Sequence, residues 1–381
     1  MDYWPAVRFR GMPNLKNLFA NTYKGRRVLV TGHTGFKGSW LALWLKHLGA
    51  DVAGFSIGVP TSPSNFDLVS LEQRIHHYIG DIRDRTRLAE VIDEFRPEIV
   101  FHLAAQSLVQ RSYVDPVTTF EMNTLGMVNL LDCVRTRPWI EVAVLITSDK
   151  AYRNDEWCWG YRETDPLGGH DPYSGSKGCA ELVANSYYHS FLRHTTTRMA
   201  TTRAGNVIGG GDWADDRIVP DCIRAWSVGQ SVDVRSPQAT RPWQHVLEPL
   251  SGYLWLGARL WGRKEGLNGE AFNFGPDGDV NQTVAELLDA MAIRWPGVQW
   301  GVPTGLEQGG QEAMLLKLSC DKALFHLNWR AVLRFVETVE FTIDWYRTWH
   351  ARDADMYDYT VDQIEQYCQL AKTRGSAWVV P

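Results

Sequence analysis

The sequence predicts an α/β fold, in which a doubly wound parallel sheet is followed by a smaller, mixed C-terminal domain. Short apolar runs that resemble buried strands alternate with helical patterns up to residue 203. Such alternation is typical of a parallel sheet with helices on both faces. In addition, the first strand leads directly into a glycine-rich turn and a helix, the order found at the start of Rossmann-type folds. Together these observations predict a Rossmann-type architecture.

The composition excludes several classes of protein. The chain has 381 residues, of which 44% are hydrophobic and 22% charged, as expected for a soluble globular protein with one large or two intimate domains. A net charge of -5 gives no electrostatic case for nucleic acid or an acidic membrane as a partner. No run approaches the roughly 18 apolar residues of a membrane span, and residues 1–24 contain no continuous apolar segment typical of a signal peptide.

The cysteine spacing indicates a reducing compartment. No two of the six cysteines are close enough to form a C-x-x-C metal or redox pair. We therefore expect free thiols, no metal site and a cytoplasmic location.

The first strand and its helix are predicted over residues 27–48, with the glycine-rich turn between them. A strand that turns sharply into a helix leaves backbone N–H groups free at the helix start, where the helix dipole also favours an anion. Glycine is needed where the turn is tight or a ligand touches backbone. We expect a dinucleotide pyrophosphate here, a structural turn being the alternative. The predicted contacts are Gly32, His33, Thr34, Gly35, Phe36, Lys37 and Gly38.

A second strand, over residues 51–56, ends where many Rossmann proteins carry an acid for the adenosine ribose. Phe55 and Ser56 stand there instead, and Ser56 is taken as a cofactor contact. Lys37 lies within the glycine turn and would suit the 2′-phosphate of NADP, although a solvated loop lysine explains it equally well. The sequence therefore leaves NAD and NADP both open.

The alternation continues along the chain. The further predicted elements are a strand over 98–106, a long helix over 116–135, a strand over 142–146, a helix from 173 to about 193 and a weaker strand over 197–202. The strand over 98–106 runs into small residues, which let a cofactor approach the strand end. We assign Leu103, Ala104 and Ala105 to that contact.

Tyr173 and Lys177 are four residues apart on a predicted helix, so they share one face. A phenol has a pKa near ~10 and is a poor base at neutral pH, but an adjacent ammonium favours the phenolate and lowers its pKa. Ser148, just after a strand, can orient a substrate alcohol. These three residues can remove a hydroxyl proton while hydride leaves for a nicotinamide, and Tyr173 and Lys177 also count as cofactor contacts. A surface tyrosine and lysine is the alternative.

These motifs resemble the short-chain dehydrogenase/reductase superfamily and, within it, the CDP-glucose 4,6-dehydratases. The G-x-x-G-x-x-G spacing opened by Thr31 and its wording T-G-H-T-G-F-K-G carry the resemblance. Sugar-nucleotide dehydratases place an acid–base pair directly after the active-site Ser or Thr. Asp149-Lys150 in this position is similar to the CDP-glucose branch, whereas the dTDP-glucose branch has Asp-Glu. The likeness extends from about residue 25 to about residue 350.

The resemblance implies an NAD-dependent hydro-lyase that converts CDP-glucose to CDP-4-keto-6-deoxyglucose by internal hydride transfer. Such a reaction belongs to deoxysugar biosynthesis, as for lipopolysaccharide O-antigen. Tyr173 would remove the 4-hydroxyl proton, Asp149 would protonate the leaving 6-hydroxyl and Lys150 would take the C5 proton. Both members of this pair reach the sugar only if the strand has ended by residue 149, because neighbours on a strand point to opposite faces.

The same resemblance extends to other parts of the chain. It implies adenine contacts from Asp81 and Ile82 and a match of Asn123 to the superfamily's structural asparagine. It also implies a homodimer or homotetramer formed through helices near 117–135 and 174–193. The apolar stripes of these helices are equally well explained by core packing.

Seven residues are assigned to the nucleotide sugar: Gln106, Ser148, Asn206, Arg217, Arg241, Trp243 and Glu312. Arg241 can grip a diphosphate with two parallel hydrogen bonds, and Asn206 supplies an amide donor after a strand end. Arg217 and Trp243 are as well explained by a surface arginine and a core tryptophan. Glu312 rests on the resemblance alone.

The predicted organisation is an N-terminal extension over 1–24, an NAD-binding Rossmann domain over 25–204 with a return segment at about 241–275, and a substrate-binding domain from 205–240 and 276–381. Two other functions stay open. A nucleotide-sugar 4-epimerase would share the glycine turn, Ser148, Tyr173 and Lys177 but would not need Asp149-Lys150. A noncatalytic dinucleotide-sensing scaffold would need neither the tyrosine nor the lysine.

Overall fold

The computed structural model describes residues 17–234, 236–278, 280–302 and 315–379. Within these ranges the strands are β1 (Arg27–Thr31), β2 (Asp51–Ser56), β3 (His76–Ile79), β4 (Ile99–His102), β5 (Val142–Ile146), β6 (Arg198–Arg203), β7 (Val207–Ile208), β8 (Val232–Asp233), β9 (Thr240–Arg241), β10 (Gln244–His245), β11 (Ala271–Asn273), β12 (Gln282–Thr283) and β13 (Trp300–Gly301). Seven of them form one sheet in the order β11-β6-β5-β4-β1-β2-β3. Every pairing in this sheet is parallel, which confirms the predicted doubly wound class.

The helices cover the sheet and build the C-terminal part. They are α1 (Phe36–His47), α2 (Asn65–Leu68), α3 (Arg85–Phe95), α4 (Val109–Val114), α5 (Pro116–Phe120), α6 (Gly126–Arg135), α7 (Pro172–Tyr187), α8 (Ile218–Trp226), α9 (Leu247–Trp261), α10 (Val284–Arg294), α11 (Asp321–Leu327), α12 (Phe335–Ala351) and α13 (Met356–Thr373). Short 3₁₀ turns lie at Leu18–Asn21, Leu71–Gln73 and Asp149–Ala151, and π turns at Glu121–Leu125 and Tyr188–Leu192. No helix of the described residues is long and apolar enough to cross a membrane.

Alternate strand residues feed two separate cores. Val28 and Val30 of β1 pack in the core that includes α1 and α9, whereas Leu29 packs in the core of α3, α6 and α7. Successive side chains of a strand point to opposite faces, so one buried strand supplies both layers. All residues of β4 and β5 are buried, which places the carboxyl ends of these strands at the centre of the molecule.

The C-terminal helices pack on the first helix of the sheet domain. Trp44 of α1 meets Tyr367 of α13 edge-on at 5.8 Å, and Phe19 stacks on Trp378 at 4.9 Å. Residues near the two ends of the described chain, Phe19 on one side and Tyr367 and Trp378 on the other, therefore pack against Trp44 of α1. The return segment contains β11, which pairs with β6. The division into two domains stays a prediction.

Most predicted elements are found, with differences that have local causes. The strands over 51–56 and 142–146 are β2 and β5 as predicted, and the weak strand over 197–202 is β6, shifted by one residue. The long helix over 116–135 is interrupted by a π turn. The edge strand β3 was not predicted as a defined strand, because its residues are exposed or half-buried and lack an apolar run.

Candidate active site at the carboxyl end of the sheet

The end of β5 places Asp149 and Lys150, the predicted acid–base pair, which is called the elimination pair below. The strand ends at Ile146, and the 3₁₀ turn Asp149–Ala151 follows. The Ser148 hydroxyl oxygen accepts a hydrogen bond from the Lys150 backbone N–H (3.2 Å), and the hydroxyl donates to Oδ1 of Asp149 (3.0 Å). Ser148 and Asp149 are buried and Lys150 is half-buried. The strand has therefore ended before residue 149, as the assignment of the pair requires.

Helix α7 carries Tyr173 and Lys177 beside this turn. Pro172 occupies its first turn, and the Asp171 carboxylate caps it by accepting from the Ser174 N–H (2.9 Å), a favourable helix start. Both catalytic candidates are buried, with the Lys177 Nζ 5.9 Å from the centre of the Tyr173 ring. The helix packs closely on the 3₁₀ turn, so the structure brings the two predicted groups of catalytic residues together.

The expected low pKa of the tyrosine is wrong for this structure. Burial raises the pKa of Tyr173 to about 12, although a hydrogen bond with Ser148 opposes the rise. Desolvation disfavours the phenolate more strongly than its surroundings favour it. Burial also lowers the pKa of Lys177 to about 8; the charge of Lys37 lowers it further, whereas the charge of Glu181 raises it.

The glycine turn is shaped for a close-approaching anion. Gly32 has a φ of 77°, and a Cβ there would lie 2.7 Å from the backbone nitrogen of Ala104. A Cβ on Gly38 would overlap the carbonyl group of Gly32. Helix α1 begins after Gly35 without a side-chain cap and without an acidic residue in its first turn. Its first N–H groups therefore fit the pyrophosphate of a dinucleotide, and these residues fit NAD.

Three predicted cofactor residues interact within the turn. The Nδ1 of His33 lies 3.0 Å from the hydroxyl of Ser56, and its Nε2 lies 2.7 Å from the Nδ1 of His77. The Thr34 hydroxyl donates to the carbonyl of Gly58 (2.7 Å). Ser56 therefore anchors the glycine turn to the end of β2.

Lys37 lies close enough to the catalytic candidate Asp149 for their charges to interact. Burial lowers the pKa of Lys37 to about 8; the charges of Asp149 and Asp212 raise it and that of Arg217 lowers it. These neighbours lie at the substrate side, whereas a 2′-phosphate would sit beyond the end of β2. The argument for NADP that rested on Lys37 is therefore lost.

Asp81 and Ile82 lie after β3. The Asp81 carboxylate forms an ion pair with Arg83 (2.7 Å), which also bonds Glu121 (2.9 Å). Ile82 is buried against Gly126, where a Cβ would crowd its side chain. The Asp81 carboxylate is thus held by an arginine, and its contact with adenine stays a prediction.

Asn123 and Gln106 join β4 to α7. The Asn123 side chain accepts from the Gln106 N–H (2.8 Å) and donates to Ser176 Oγ (2.9 Å), a bridge that fits the predicted structural role. The side-chain amide of Gln106 donates to the Leu108 carbonyl (2.9 Å) and to Thr119 Oγ1 (3.0 Å). Both amide hydrogens are used, which argues against the assignment of Gln106 to the sugar.

A small cleft opens beside Asp149. Its lining residues include Asp149, Gly205, Asn206, Gln244, Asp277 and Leu318. Gly205 lacks a side chain where the Asp149 carboxylate packs against it, so a Cβ would overlap the carboxylate. Asn206, in the left-handed region with a φ of 52°, is therefore beside the elimination pair. Glu312 lies outside the described residues.

The other predicted substrate residues, Arg217, Trp243 and Arg241, have different surroundings in the structure. The Arg217 guanidinium forms an ion pair with the buried Asp212 (2.7 Å), and its charge lowers the pKa of Tyr173, so it lies near the catalytic tyrosine. Trp243 is buried in the apolar core, which favours its structural alternative. Arg241 donates to the carbonyl of Thr240 (2.8 Å), and its role toward a diphosphate stays a prediction.

The sequence analysis missed a charged cluster under the catalytic residues. Glu181 and Arg203 form an ion pair (2.8 Å) with both side chains 4% exposed, and the Thr147 hydroxyl donates to Glu181. One signal was available, since Glu181 is four residues beyond Lys177 and eight beyond Tyr173. A charged residue on the catalytic face of a helix indicates a partner on the sheet.

Comparisons with known proteins agree with this geometry. Residues 29–256 match the family model described as GDP-mannose 4,6 dehydratase. The CDP-glucose 4,6-dehydratase of Salmonella typhimurium is 47% identical over 353 residues, covering 91% of this chain and 97% of that protein. Among solved structures, a UDP-glucose 4-epimerase from Stenotrophomonas maltophila with bound NAD has a TM-score of 0.74 at 22% identity, over 86% of this chain and 100% of that one. A dTDP-glucose 4,6-dehydratase of Streptomyces venezuelae with bound NAD gives 0.70 at 24% identity, over 84% and 97%.

Proposed function

This chain belongs to the GDP-mannose 4,6-dehydratase family, and from that membership we propose that it is a CDP-glucose 4,6-dehydratase. It converts CDP-glucose to CDP-4-keto-6-deoxyglucose. One observation carries the proposal: Ser148 and Asp149 are buried at the end of β5, against the helix that bears Tyr173 and Lys177. An oxidising tyrosine–lysine pair thus adjoins an acid–base pair, which a dehydratase needs and an epimerase does not.

The cofactor is NAD, held by the glycine turn, Ser56 and the small residues after β4. Bound NAD supplies the hydride acceptor and donor for the sugar carbons. Gly32 and Gly38 let the turn approach β4 and α1 closely, and the uncapped N–H groups of α1 would hold the pyrophosphate. Ala104 and Ala105, half-buried after β4, have small side chains that would admit the cofactor.

The residues of α7 and Ser148 handle the proton of the sugar 4-hydroxyl. Ser148 orients the hydroxyl, Tyr173 takes its proton, and Lys177 supplies the positive charge that favours the phenolate. Burial raises the pKa of Tyr173 to about 12, whereas the hydrogen bond with Ser148 and the charge of Arg217 oppose the rise and so favour the phenolate. The proton taken from the 4-hydroxyl balances the one that leaves with the 6-hydroxyl as water, so the residues of the site undergo no net change in protonation.

Asp149 and Lys150 carry out the elimination of water. A ketone at C4 makes the C5 hydrogen acidic, and Lys150 takes this proton. Asp149, buried and bonded by the Ser148 hydroxyl, donates the proton with which the 6-hydroxyl leaves. The two side chains flank one sugar because the backbone has turned away from β5 before either residue.

The nucleotide sugar lies in the cleft beside Asp149. Asn206 donates from the turn after β6, and Arg217 and Arg241 bind the diphosphate. Asp212 holds the Arg217 guanidinium in one orientation through their ion pair. Glu312 remains the candidate that the resemblance alone supports.

A panel of glucose nucleotides tests the proposed function. The purified protein is incubated with CDP-, dTDP-, UDP- and GDP-glucose, and the molecular masses of the products are measured by mass spectrometry. We expect the loss of one water from CDP-glucose, fastest in the panel, and transfer of a C4 deuterium label to C6. An isomer of unchanged mass would identify an epimerase, and label lost to solvent would contradict the internal transfer.

We infer that the molecule pairs with a second copy through an apolar face of α5, α7 and the π turn that follows α7. Side chains on this face are exposed, with Val117 at 66%, Leu182 at 62% and Phe191 at 49%. Helices α5 and α7 adjoin each other, and we infer that their exposed residues form one surface, which a two-fold dimer would bury against itself. The predicted helices near 117–135 and 174–193 carry these residues. A cytoplasmic location stays a prediction, supported by six cysteines without a disulfide.

Light scattering after size exclusion tests the dimer. Val117→Arg should give a monomer, because a charge would be buried at the centre of the interface. Ile293→Arg is the matched control, since Ile293 is 82% exposed on α10, away from that face. A dimer that survives the first variant, or dissociates with the second, would contradict the proposed interface.

A further inference from the structure

Below the catalytic residues lies a buried carboxylate that binds four donors. Glu181 accepts hydrogen bonds from the Nε (2.8 Å) and Nη2 (3.0 Å) of Arg203 and from the hydroxyl of Thr201 (2.8 Å). The hydroxyl of Thr147 donates to the same carboxylate. Burial alone would raise the pKa of Glu181, but the charge of Arg203 and the hydrogen bonds from Arg203, Thr147 and Thr201 favour the ionised carboxylate more strongly, so its pKa is lowered.

These bonds connect three elements at the carboxyl end of the sheet. Glu181 lies on α7, Thr147 follows β5, and Arg203 ends β6. Thr147 directly precedes Ser148, and its hydroxyl also contacts the carbonyl of Thr202 (3.1 Å). A single carboxylate therefore joins the strand end that bears the elimination pair to the helix that bears Tyr173.

Arg203 extends the connection to Glu163 and Tyr152. Its Nη1 donates to the carbonyl of Glu163 (3.1 Å), and its guanidinium lies over the Tyr152 ring, 4.7 Å from the ring centre. The Tyr152 hydroxyl in turn donates to Asn273 (2.8 Å). The arginine is thus fixed on several sides, which makes the cluster rigid rather than mobile.

We propose that Glu181 is a positioning residue, which fixes residues 147–150 against α7 and so sets the separation of the elimination pair from Tyr173. The inference rests on the proposed function. Glu181 acts through the Thr147 hydroxyl and touches neither sugar nor cofactor. Misplacement of reacting groups by about 1 Å can lower turnover by about 10²-fold, so loss of this bond should lower kcat and leave KM nearly unchanged.

The first test removes one hydroxyl. Thr147→Val should lower kcat on CDP-glucose by about 10–100-fold with KM within about twofold, and Thr147→Ser, which keeps the hydroxyl, should restore turnover. Thr197→Val is the matched control, because Thr197 is also buried and donates one bond, to the Ile140 carbonyl (2.8 Å), at the opposite end of the sheet. It should lose similar thermal stability and keep wild-type kcat.

The second test changes the charge. Lys177 lies among Lys37, His102, Tyr173 and Glu181, and only Glu181 raises its pKa. Glu181→Gln should lower the pKa of Lys177 below about 8, so the alkaline limb of the kcat profile should move to lower pH. A merely structural role would leave the limb in place. If this variant does not fold, the threonine series decides the question.

The outcomes separate the inference from the function. Turnover of CDP-glucose by the wild-type protein tests the proposed function. The ratio of kcat between Thr147→Val and Thr197→Val tests the positioning role of Glu181. Binding of CDP-glucose by calorimetry gives a readout that does not depend on turnover, and Thr147→Val should bind as tightly as wild type. Equal kcat for Thr147→Val and Thr197→Val, or failure of Thr147→Ser to restore turnover, would overturn the proposal.

Discussion

Two buried glutamates show how one residue type serves different purposes in this molecule. Glu181 lies under the catalytic residues and pairs with Arg203. Glu248 of α9 accepts from the backbone N–H groups of Val332 and Leu333 and from the hydroxyl of Tyr367. Both are almost fully buried, yet the pKa of Glu181 is lowered and that of Glu248 is raised to about 7.

The pKa values of the two glutamates differ because of their partners and not because of their burial. An arginine in contact offsets the desolvation of Glu181, whereas the neutral donors of Glu248 and the weaker effect of the Arg374 charge offset only part of its desolvation. Glu248 joins α9 to α13 and to the segment before α12, so it fastens the C-terminal helices. The comparison implies that changes near Glu181 alter chemistry, and changes near Glu248 alter stability.

The largest expected effect is that of the catalytic tyrosine. Tyr173→Phe should lower turnover by about 10²–10⁴-fold, because it removes the acid–base group and keeps the ring. Tyr367→Phe is its counterpart beside Glu248 and should lower the free energy of unfolding by about 1–3 kcal/mol with unchanged kcat. Steady-state kinetics and denaturant unfolding of both variants measure the two effects. A loss of turnover in Tyr367→Phe, with only a loss of stability in Tyr173→Phe, would contradict the distinction between the two glutamates.

Lys150→Met should interrupt the reaction at the elimination. Without the base at C5, oxidation at C4 proceeds but water is not lost, so reduced nicotinamide should accumulate without 6-deoxy product. Absorbance of the reduced cofactor and mass spectrometry of the sugar measure the two events. Lys322→Met is the control, because Lys322 lies on α11 and forms an ion pair with Glu270 (2.7 Å). This variant should keep the wild-type turnover. Dehydration at the wild-type rate would reduce Lys150 to a positioning charge.

A smaller effect is expected in the glycine turn. Gly32→Ala adds a Cβ at a φ of 77° against the backbone of Ala104, whereas Gly229→Ala adds one at a φ of 72° with nothing within 4 Å. Both changes strain the backbone similarly, so their difference isolates the close approach. We expect only Gly32→Ala to weaken NAD binding, by about tenfold or more, as measured by calorimetry. Equal affinities would show that the turn tolerates a side chain.

The sequence predicted what depends on local patterns. Strand β5, the glycine turn and the Tyr173–Lys177 spacing all follow from periodicity and short motifs, and the structure brings them together. The partners of Glu181 and Glu248 on distant elements do not follow from local patterns, since their donors are up to 119 residues away. The pKa of Tyr173 was misjudged for the same reason, because burial is set by the packing of the whole cleft.

The last prediction uses pH to compare the two glutamates. A carboxyl group whose pKa is raised on folding stabilises the protein below its unfolded pKa and loses that contribution as the pH rises through the folded pKa. For Glu248, raised from 4.5 to about 7, the free energy of unfolding should fall by about 3 kcal/mol across this interval, at ~1.36 kcal/mol per pH unit. Glu248→Gln should remove this fall. Glu181 has the opposite sign: its lowered pKa gives a contribution that is lost as the pH falls below about 4.5, so Glu181→Gln should flatten the acidic side instead. Denaturant unfolding of both variants between about pH 3.5 and 8 measures the two slopes, and slopes of the same sign would mean that the arginine does not distinguish these two sites.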